Sequence, residues 1–383
     1  MKVYLDAVST TSLNDEVRET YKKLLDQYFC NSDALYDDGV AIYAKQEKSR
    51  GIIADYFNIK KDEVIFTAGA SEANSLAIKG LCFKHPQRKH LITSIYEHSS
   101  VYNSFKQLEE EFGYDVTYLS PDQNGNIRAE DVKKALRDDT LLVSIMQVNN
   151  EIGAINNVEE IAEVVKKHSG TYFHSDITQG VGKIDVDMKN IDMASFSAHK
   201  IHGLKGSGVL LKKEFVELSP IISGGQQEYG IRGGTSNALA NIVLAKTLRI
   251  ASENKDKYHD YLIELHDRLI DGLKDIVTIN YDLGLKTLIN ISTPIQSEVM
   301  LNALNDKGIM VSSKSTCGSR KNELNRTLNA LNINEDYALR VSFDYTNTKE
   351  EIDYFVKSIK EILDKYAWNK LWSHYCKIWW IIY

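Results

Sequence analysis

Between residues 62 and 211, short apolar runs rich in β-branched residues alternate with segments of helical periodicity. Strands that are joined by helices of this length run parallel, because the return from one strand to the next needs a crossover of a dozen or more residues. The alternation therefore predicts an α/β fold with a mainly parallel, mixed sheet flanked by helices. Ligands of such sheets bind beyond the carboxyl ends of the strands, so the residues that follow each strand are candidates for chemistry.

The 383 residues suggest about two domains at roughly 150 residues each. A long helical region over 237–273 separates the alternating segment from a second pattern, which is typical of a smaller α+β domain. We predict a large domain over 15–250 and a small domain formed by 1–14 and 251–383. The small domain has predicted strands at 287–291, 309–312 and 339–343 and helices at 297–305 and 348–366, and it carries an irregular loop at about 313–335.

Charge and cysteine content exclude several classes of function. A net charge of −7 disfavours generic attraction to nucleic acid or anionic lipid. No stretch reaches the roughly 18 apolar residues of a membrane span, and the first residues lack the apolar run of a secretory signal. The four cysteines form no C-x-x-C pair, which argues against a zinc knuckle or a disulfide framework. These features favour a cytoplasmic protein that binds no metal.

A strand-turn-helix segment at Phe66–Glu72 offers a possible phosphate site. Gly69 allows a sharp turn, and the free N–H groups of the following helix, together with the Ser71 hydroxyl, are suited to hold a phosphate. The common phosphate signatures G-x-x-x-x-G-K-[ST] and G-x-G-x-x-G are absent. An ordinary strand-helix junction with a capping serine is the alternative interpretation.

Lys200 follows the apolar stretch 191–196 and is preceded by Ser197 and His199. A lysine at the end of a buried strand is where an imine-forming amine is expected, since desolvation lowers a lysine pKa from about 10.4. A surface lysine is the alternative.

Asp176, His98 and Asn150 also follow predicted strands. Each alone is explained by capping or a turn, but together they predict a phosphate cradle, a stacking ring, a partner for a pyridinium nitrogen and a reactive lysine, as in a pyridoxal phosphate site.

The chain resembles the NifS/IscS-type cysteine desulfurases of the class V aminotransferase group. The matching motifs run in the family's order from residue 3 to about 365: TAGASEANSLAIKG from Thr67, EHSSV from Glu97, VNNEIG from Val148, FHSDITQGVGK from Phe173, SFSAHKIHGLKGSG from Ser195, SGGQQEYGIRGGT from Ser223, VSSKSTCGS from Val311 and ALRVSFDYTNTKEEID from Ala338. The resemblance implies the fold type I of PLP-dependent transferases.

The resemblance also assigns roles to single residues. It implies that Lys200 forms the imine with pyridoxal 5'-phosphate, that His98 stacks on the ring, that Asp176 meets the pyridine nitrogen and that Gln179 meets the phenolic oxygen. Phosphate binding is implied for Ala70, Ser71, Ser197 and His199, and for Thr235 from the other subunit of a homodimer. Substrate carboxylate binding is implied for Asn150 and Arg340, and the planar guanidinium of Arg340 suits it.

Cys317 narrows the implied reaction. In the family this thiolate takes the sulfur of L-cysteine, which leaves a persulfide on the enzyme and releases L-alanine. The small and charged residues around Cys317 suit a mobile arm that delivers sulfur to an acceptor protein, for iron–sulfur cluster assembly or for tRNA and cofactor thiolation. The three other cysteines, Cys30, Cys82 and Cys376, lack this context and are interpreted as structural.

Several departures from the family pattern keep other interpretations open. Val8 and Ser9 stand where the family has a D-x-A-A-T-T form, and Lys314 and Thr316 flank the predicted nucleophile. A selenocysteine lyase or another class V enzyme, and a catalytically impaired scaffold or regulatory paralog, therefore remain alternatives. The tail at 367–383 spaces aromatic residues as on one helix face, which predicts packing on the small domain or docking of an acceptor or membrane surface.

Overall fold

The computed structural model describes residues 1–313 and 325–382, with side chains up to Tyr366. The chain forms two compact units. The larger unit comprises Thr10–Asn150 and Ala154–Lys257, and the smaller unit comprises Met1–Ser9, Glu151–Gly153 and Tyr258–Tyr383. The predicted lysine, the phosphate-binding residues and the ring partners all belong to the larger unit, whereas Arg340 belongs to the smaller one.

Strands and helices follow one another in the order that the sequence pattern predicts for most of the chain. The strands are β1 (Val3–Tyr4), β2 (Val64–Thr67), β3 (His90–Ser94), β4 (Asp115–Leu119), β5 (Thr140–Ser144), β6 (Tyr172–Asp176), β7 (Met193–Ser197), β8 (Gly208–Lys212), β9 (Thr278–Tyr281), β10 (Leu288–Ser292), β11 (Ile309–Met310) and β12 (Ala338–Ser342). The helices are α1 (Asp15–Gln27), α2 (Asp37–Tyr56), α3 (Ala70–Lys84), α4 (Ser99–Phe112), α5 (Ala129–Ala135), α6 (Val158–Lys166), α7 (Ala238–Lys257), α8 (His259–Leu273), α9 (Ser297–Asp306), α10 (Arg326–Ala330) and α11 (Lys349–Ile382).

The larger unit is built on a sheet with the strand order β2-β8-β7-β6-β5-β3-β4. Strand β8 is antiparallel to both neighbours, and the other pairs are parallel. Because β2 and β7 each oppose β8, they run in the same direction as the remaining strands. The carboxyl ends of β2, β3, β5, β6 and β7 therefore meet at one edge of the sheet. This mixed, mainly parallel sheet confirms the fold class predicted from the sequence.

Both faces of this sheet are buried, as parallel sheets require. Along β2, Val64 and Phe66 belong to one apolar cluster and Ile65 belongs to the other. The same alternation places Val209 and Leu211 of β8 on the first face and Leu210 on the second. Burial on two faces explains why the strand sequences are continuously apolar. It also explains why polar site residues lie at the strand ends, since the strands themselves are covered on both sides.

The smaller unit has an antiparallel sheet of order β12-β10-β9 and a short parallel pair of β1 and β11. Its core joins Val3 and Leu5 near the N-terminus with apolar residues of α8, α9 and α11. The backbone N–H of Ala7 donates to the carbonyl of Ser342 at 3.1 Å, which ties the N-terminal segment to β12. Strand β12 carries Arg340, so the fold of this unit places Asp6 and Ser9 beside that residue.

The structure differs from the predicted elements at the break between α7 and α8 and in the stretch that was predicted to be irregular. The helical region 237–273 divides at Tyr258 into α7 and α8, where the Tyr258 ring stacks on Tyr345 with centroids 4.9 Å apart. Helix α10 lies within the stretch that was predicted to be irregular, and 314–324 fall outside the described residues. Within the described ranges, none of the helices combines the length and apolarity that a bilayer crossing requires.

Candidate active site

Loops at the carboxyl edge of the larger sheet bring together the residues that the sequence analysis singled out. Each loop follows a different strand: Ala70 and Ser71 follow β2, His98 follows β3, Asn150 follows β5, Asp176 and Gln179 end and follow β6, and Ser197, His199 and Lys200 end and follow β7. Residues that are far apart in the sequence thus share one edge of one rigid sheet.

The turn between β2 and α3 forms a cradle made of backbone. Gly69 has φ of +156°, and the N–H of Ala70, the first residue of α3, donates to Ser197 Oγ at 2.6 Å. A Cβ added at Gly208 would lie 2.5 Å from the Cα of Gly69, so only glycine allows β8 to approach this turn. The amides of the first helical turn are the natural partners of an anion, and Ser197 adds its hydroxyl group to the same place.

Positive charge surrounds the segment after β7. Burial, together with the charges of Lys200, Lys205 and Lys183, lowers the pKa of His199 to about 4. The His199 imidazole is therefore neutral at physiological pH and has one N–H to donate. Its Nδ1 lies 3.1 Å from Thr10 Oγ1, and its carbonyl accepts from the N–H of Thr11, which holds the short helical turn that ends at Lys200.

Asp176 is only 5% exposed at the end of β6. Its Oδ2 accepts from Asn74 Nδ2 at 2.8 Å, and its Oδ1 accepts from the N–H of Thr178 at 3.0 Å. Each carboxylate oxygen has two lone pairs, so Asp176 keeps the capacity to accept from a protonated ring nitrogen. Three residues after Asp176, Gln179 Oε1 accepts from Lys183 Nζ at 3.0 Å. Because an ammonium group only donates, the amide oxygen of Gln179 faces Lys183.

His98 caps helix α4. Its Nδ1 lies 2.8 Å from Ser100 Oγ and accepts from the N–H of Ser100 at 3.2 Å. The preceding residue, Glu97, is buried, and its Oε1 accepts from Ser94 Oγ at 2.6 Å and from the N–H of Met146 at 3.0 Å. Glu97 therefore connects the end of β3 with the segment after β5, directly before His98 at the start of α4.

Some of these supporting residues were missed by the sequence analysis. They are Asn74, Glu97, Ser100 and Lys183, all of which lie inside the quoted motifs. Asn74 follows Ala70 by four residues, so helical periodicity places the two on one face of α3. A fully buried asparagine on an otherwise apolar helix face is a signal that periodicity can detect, whereas its partners become known only from the fold.

Among the site residues, Ser71 and Thr235 are exposed and Asn150 is partly exposed. Thr235 is exposed in the segment that precedes α7. That segment is attached to the start of α3 by Arg232, whose Nε lies 2.8 Å from Glu72 Oε1. Asn150 is partly exposed after β5, next to Asn149, which is buried and donates to the carbonyl of Tyr96 at 3.1 Å.

In the smaller unit, Arg340 is 2% exposed and binds protein carboxylates. Its Nη1 lies 3.1 Å from Glu151 Oε1, and its Nη2 lies 3.2 Å from Asp6 Oδ1. The same Nη2 donates to Ser9 Oγ at 2.8 Å, and Ser9 in turn donates to Asp6 at 2.8 Å. Burial raises the pKa of Glu151, and the charge of Arg340 opposes this increase. Ser9, one of the departures from the family pattern, thus belongs to the surroundings of Arg340.

The predicted nucleophile Cys317 and its neighbours Lys314 and Thr316 lie outside the described residues, as do the side chains of the aromatic tail and Cys376. Of the two cysteines that the structure describes, Cys30 is partly exposed and Cys82 is buried in α3. Burial raises the pKa of Cys82 to about 12, so its thiol is protonated and unreactive at neutral pH. This agrees with a structural interpretation of Cys82.

The residues at this edge fit pyridoxal phosphate by the chemistry of their donors and acceptors. The turn that Gly208 keeps open, with Ser197 and the neutral His199, offers N–H and O–H groups in a positive environment to a phosphate. Asp176 presents a buried carboxylate on the neighbouring strand. Lys200 ends the turn after β7, where it adds an amine to the same edge.

Known proteins resemble this chain over most of its length. The family model described as aminotransferase class-V matches residues 3–355. A NifS/IcsS protein homolog of Lactobacillus delbrueckii subsp. bulgaricus is 35% identical, covering 95% of this chain and 98% of the relative. Cysteine desulfurase IscS of Dictyoglomus turgidum is 36% identical, covering 95% of each chain.

Solved structures give the same result. A NifS-like protein superposes with a TM-score of 0.89 at 33% identity, covering 95% of this chain and all of that chain. A structure described as SspA in complex with cysteine superposes with a TM-score of 0.79 at 32% identity, covering 89% of this chain and 99% of that one.

Fold and site together define a class V aminotransferase-type protein, and the chain belongs to that family. Within it, the chain is a member of the NifS/IscS-type cysteine desulfurases. The family and the fold predicted from the sequence are both confirmed.

Proposed function

We propose that this protein is a PLP-dependent cysteine desulfurase that converts L-cysteine to L-alanine and forms a persulfide on Cys317. The observation that carries the proposal is the convergence of Lys200, Asp176 and the cradle around Ala70 at one sheet edge, in a chain that belongs to the desulfurase family. A lysine, a buried carboxylate and a phosphate cradle at one edge suit this coenzyme.

The residues that would hold pyridoxal 5'-phosphate are those predicted from the sequence. Lys200 would bind it covalently, His98, Asp176 and Gln179 would contact its ring, and Ala70, Ser71, Ser197, His199 and Thr235 would hold its phosphate. When bound, the coenzyme acts as an electron sink that allows bonds at the substrate's Cα and Cβ to break.

The chain's own residues would perform the remaining steps. Arg340 would bind the substrate carboxylate, and Asn150 would assist, while His98 would move a proton at its ring nitrogen. The Cys317 thiolate would attack the substrate sulfur, so that an S–S bond forms as the C–S bond at Cβ breaks. Cβ gains a proton in place of sulfur, and one thiol and one cysteine become one persulfide and one alanine.

Persulfide mapping tests this proposal directly. The purified protein is incubated with L-cysteine, its thiols are alkylated, and the modified peptides are located by mass spectrometry. We expect a persulfide on Cys317, loss of persulfide and of alanine formation in Cys317→Ala, and normal activity in the control variant Cys82→Ala. Unchanged sulfide release by Cys317→Ala would remove this thiol from the mechanism.

Two other functions remain as alternatives for the same chain. A selenocysteine lyase or another class V enzyme would bind the coenzyme but would prefer selenocysteine or release product without Cys317. A scaffold or regulatory paralog, suggested by the departures at Val8–Ser9 and Lys314–Thr316, would be colourless and would fail to bind added pyridoxal phosphate. Parallel assays with cysteine and selenocysteine, with coenzyme absorbance, distinguish all three.

We further propose a homodimer. Large apolar side chains are exposed along the end of α1, the following loop and the start of α2: Leu25, Phe29, Leu35, Tyr36, Val40 and Tyr43. Large apolar side chains exposed this close together along the chain are typical of an interface, and Phe29 and Leu35 are 96% and 94% exposed. A second copy would cover it and contribute Thr235 across the interface. Light scattering is expected to give twice the chain mass, and Phe29→Asp combined with Leu35→Asp is expected to give monomers.

The product's destination is also a proposal. A protein persulfide is suited to transfer sulfur to an acceptor protein, such as an iron–sulfur scaffold or a tRNA-thiolation enzyme, and the net negative charge gives no support for direct binding of nucleic acid. We propose a cytoplasmic location, based on the same composition.

The division into domains at 15–250 and at 1–14 with 251–383 stays a prediction. The structure has two compact units, whose bounds are given above.

A further inference from the structure

A chain of side-chain hydrogen bonds connects Asp176 with His98 in the larger unit. Asn74 Nδ2 lies 2.8 Å from Asp176 Oδ2 and 2.9 Å from Ser100 Oγ. Ser100 Oγ lies 2.8 Å from His98 Nδ1. Asn74 on α3 and Ser100 on α4 thus join two residues that come from different strands and that the coenzyme's ring would contact.

The direction of the first two bonds follows from the carboxylate. Asp176 accepts a hydrogen bond at each of its two oxygens, and the donor to Oδ2 is Asn74 Nδ2. The opposite orientation of the amide would place its oxygen against the carboxylate, with two acceptors facing each other. Nδ2 therefore uses one hydrogen for Asp176 and its other hydrogen for Ser100 Oγ. Asn74 is fully buried, so water does not compete for these two hydrogen bonds.

The direction of the third bond determines which ring nitrogen of His98 carries the proton. The backbone N–H of Ser100 donates to His98 Nδ1 at 3.2 Å, so this nitrogen is an acceptor. The Ser100 hydroxyl group, whose oxygen accepts from Asn74, therefore directs its own hydrogen to the same Nδ1 at 2.8 Å. Two donors converge on one nitrogen, so Nδ1 is an acceptor and the neutral imidazole carries its proton on Nε2.

We propose that Asn74 and Ser100 are positioning residues that hold His98 as the neutral tautomer protonated at Nε2. The inference rests on the proposed function, in which His98 moves a proton during the reaction. A fixed tautomer means that proton transfer occurs at Nε2 alone, while Nδ1 stays bound to Ser100. The same chain couples the orientation of the ring to the Asp176 carboxylate, because both depend on one amide nitrogen of Asn74.

Nitrogen NMR of the full-length protein tests the tautomer. In protein labelled with ¹⁵N-histidine, the two ring signals of His98 are assigned by their loss in His98→Asn. We expect the signal of a protonated nitrogen at Nε2 and of an unprotonated nitrogen at Nδ1. In Ser100→Ala and Asn74→Ala, the two signals are expected to move partway toward each other, because the hydroxyl donor is lost or released while the backbone N–H of residue 100 still donates to Nδ1. The matched control is Ser99→Ala, which alters the neighbouring serine and is expected to leave both signals unchanged.

Kinetics of the holoenzyme give a second readout. Ser100→Ala is expected to lower kcat by roughly 10- to 100-fold with little change in KM for cysteine, since ring orientation is lost and substrate binding is kept. Ser100→Thr retains the hydroxyl group and is expected to restore most of the activity. Because Ser100→Thr keeps the fold and the hydrogen bond, it separates positioning from a general loss of stability.

The outcomes separate this inference from the proposed function. A wild-type ring protonated at Nδ1, or signals that do not respond to Ser100→Ala, would overturn the inference even if alanine forms normally. A ring protonated at Nε2 that responds to Ser100→Ala, in a protein that forms no alanine from cysteine, would support the positioning and contradict the desulfurase. The NMR measurement is also made on protein stripped of coenzyme, where turnover has no part.

Discussion

Arg340 and Glu151 form a buried ion pair in the smaller unit, with Nη1 3.1 Å from Oε1 and both side chains at most 5% exposed. The same guanidinium binds Asp6, so two carboxylates surround one arginine. A substrate carboxylate would therefore meet an arginine whose position is already determined by its neighbours. Preorganisation of this kind favours geometric precision in binding over flexibility.

Replacement of Arg340 by lysine tests the importance of the planar guanidinium. Lysine keeps the positive charge but cannot bind two carboxylate oxygens in parallel, so we expect kcat/KM for cysteine to fall about 100-fold or more. Steady-state assays of alanine formation measure this change. The control is Arg268→Lys in the same unit. Arg268 binds both carboxylate oxygens of Asp353 at an exposed position, and its replacement is expected to leave kcat/KM unchanged. Equal losses in both variants would contradict a special role for Arg340.

Replacement of Gly208 by alanine tests the backbone cradle. The new Cβ would lie 2.5 Å from Gly69 Cα, a backbone atom, so the turn before α3 must move. We expect coenzyme affinity, measured by absorbance titration, to fall at least tenfold. Gly51→Ala in α2 is the matched control, since a Cβ there meets nothing within 4 Å. It should leave affinity unchanged and increase the free energy of unfolding by roughly 0.5 to 1 kcal/mol.

Replacement of Arg50 by methionine tests a buried pair that supports the segment before α7. Arg50 binds both oxygens of Glu228 at 2.7 and 2.9 Å, and Glu228 and Tyr229 have positive φ of 45° and 58°. Removing the arginine leaves a buried carboxylate unpaired, so we expect a loss of about 3 to 5 kcal/mol in urea unfolding. Adding Glu228→Gln removes the charge and keeps an acceptor for the N–H of Phe66, so part of the loss should be recovered. A double variant less stable than the single variant would refute this account.

Asp192 makes stability depend on pH. Burial raises its pKa from 3.8 to about 6, against the opposing N–H of Phe173. A raised carboxyl pKa means that the folded state binds the extra proton, so this stabilisation is complete below pH 3.8 and is lost as pH rises through about 6. Asp192→Asn should therefore become more stable relative to the wild type between pH 4 and 6, by at most about 3 kcal/mol. Thermal melts at several pH values measure this, with exposed Asp187→Asn as a control that should show no such trend.

Sequence patterns predicted much of the larger unit because its strands are buried on both faces and helices such as α4 and α6 are amphipathic. The segment Phe66–Glu72 was predicted to run from a strand through a turn into a helix, and in the structure β2 ends at Thr67 and α3 begins at Ala70. The break at Tyr258 was missed, since no proline or glycine marks it and the aromatic stacking that accompanies it involves Tyr345, a residue distant in sequence.

The site residues that follow buried strands directly could be predicted from the sequence. Lys200 and Asp176 were found because each follows an apolar run that predicts a buried strand. Asn74 and Ser100 were not, because their significance depends on which helix faces which strand. The pairing of Arg340 with Glu151 likewise joins residues 189 positions apart, which no local pattern indicates.

Strand β8 has a consequence for the order in which the larger unit assembles. Strands β7 and β8 form a local antiparallel hairpin around Lys200, and such near-neighbour contacts close quickly. The bond from Ala70 to Ser197 spans 127 positions, so the turn proposed to hold phosphate meets its hydroxyl partner only after a long loop has closed. We therefore expect the segment that carries Lys200 to form early on the folding pathway, and the proposed binding of vitamin B6 to become possible only in fully folded chains.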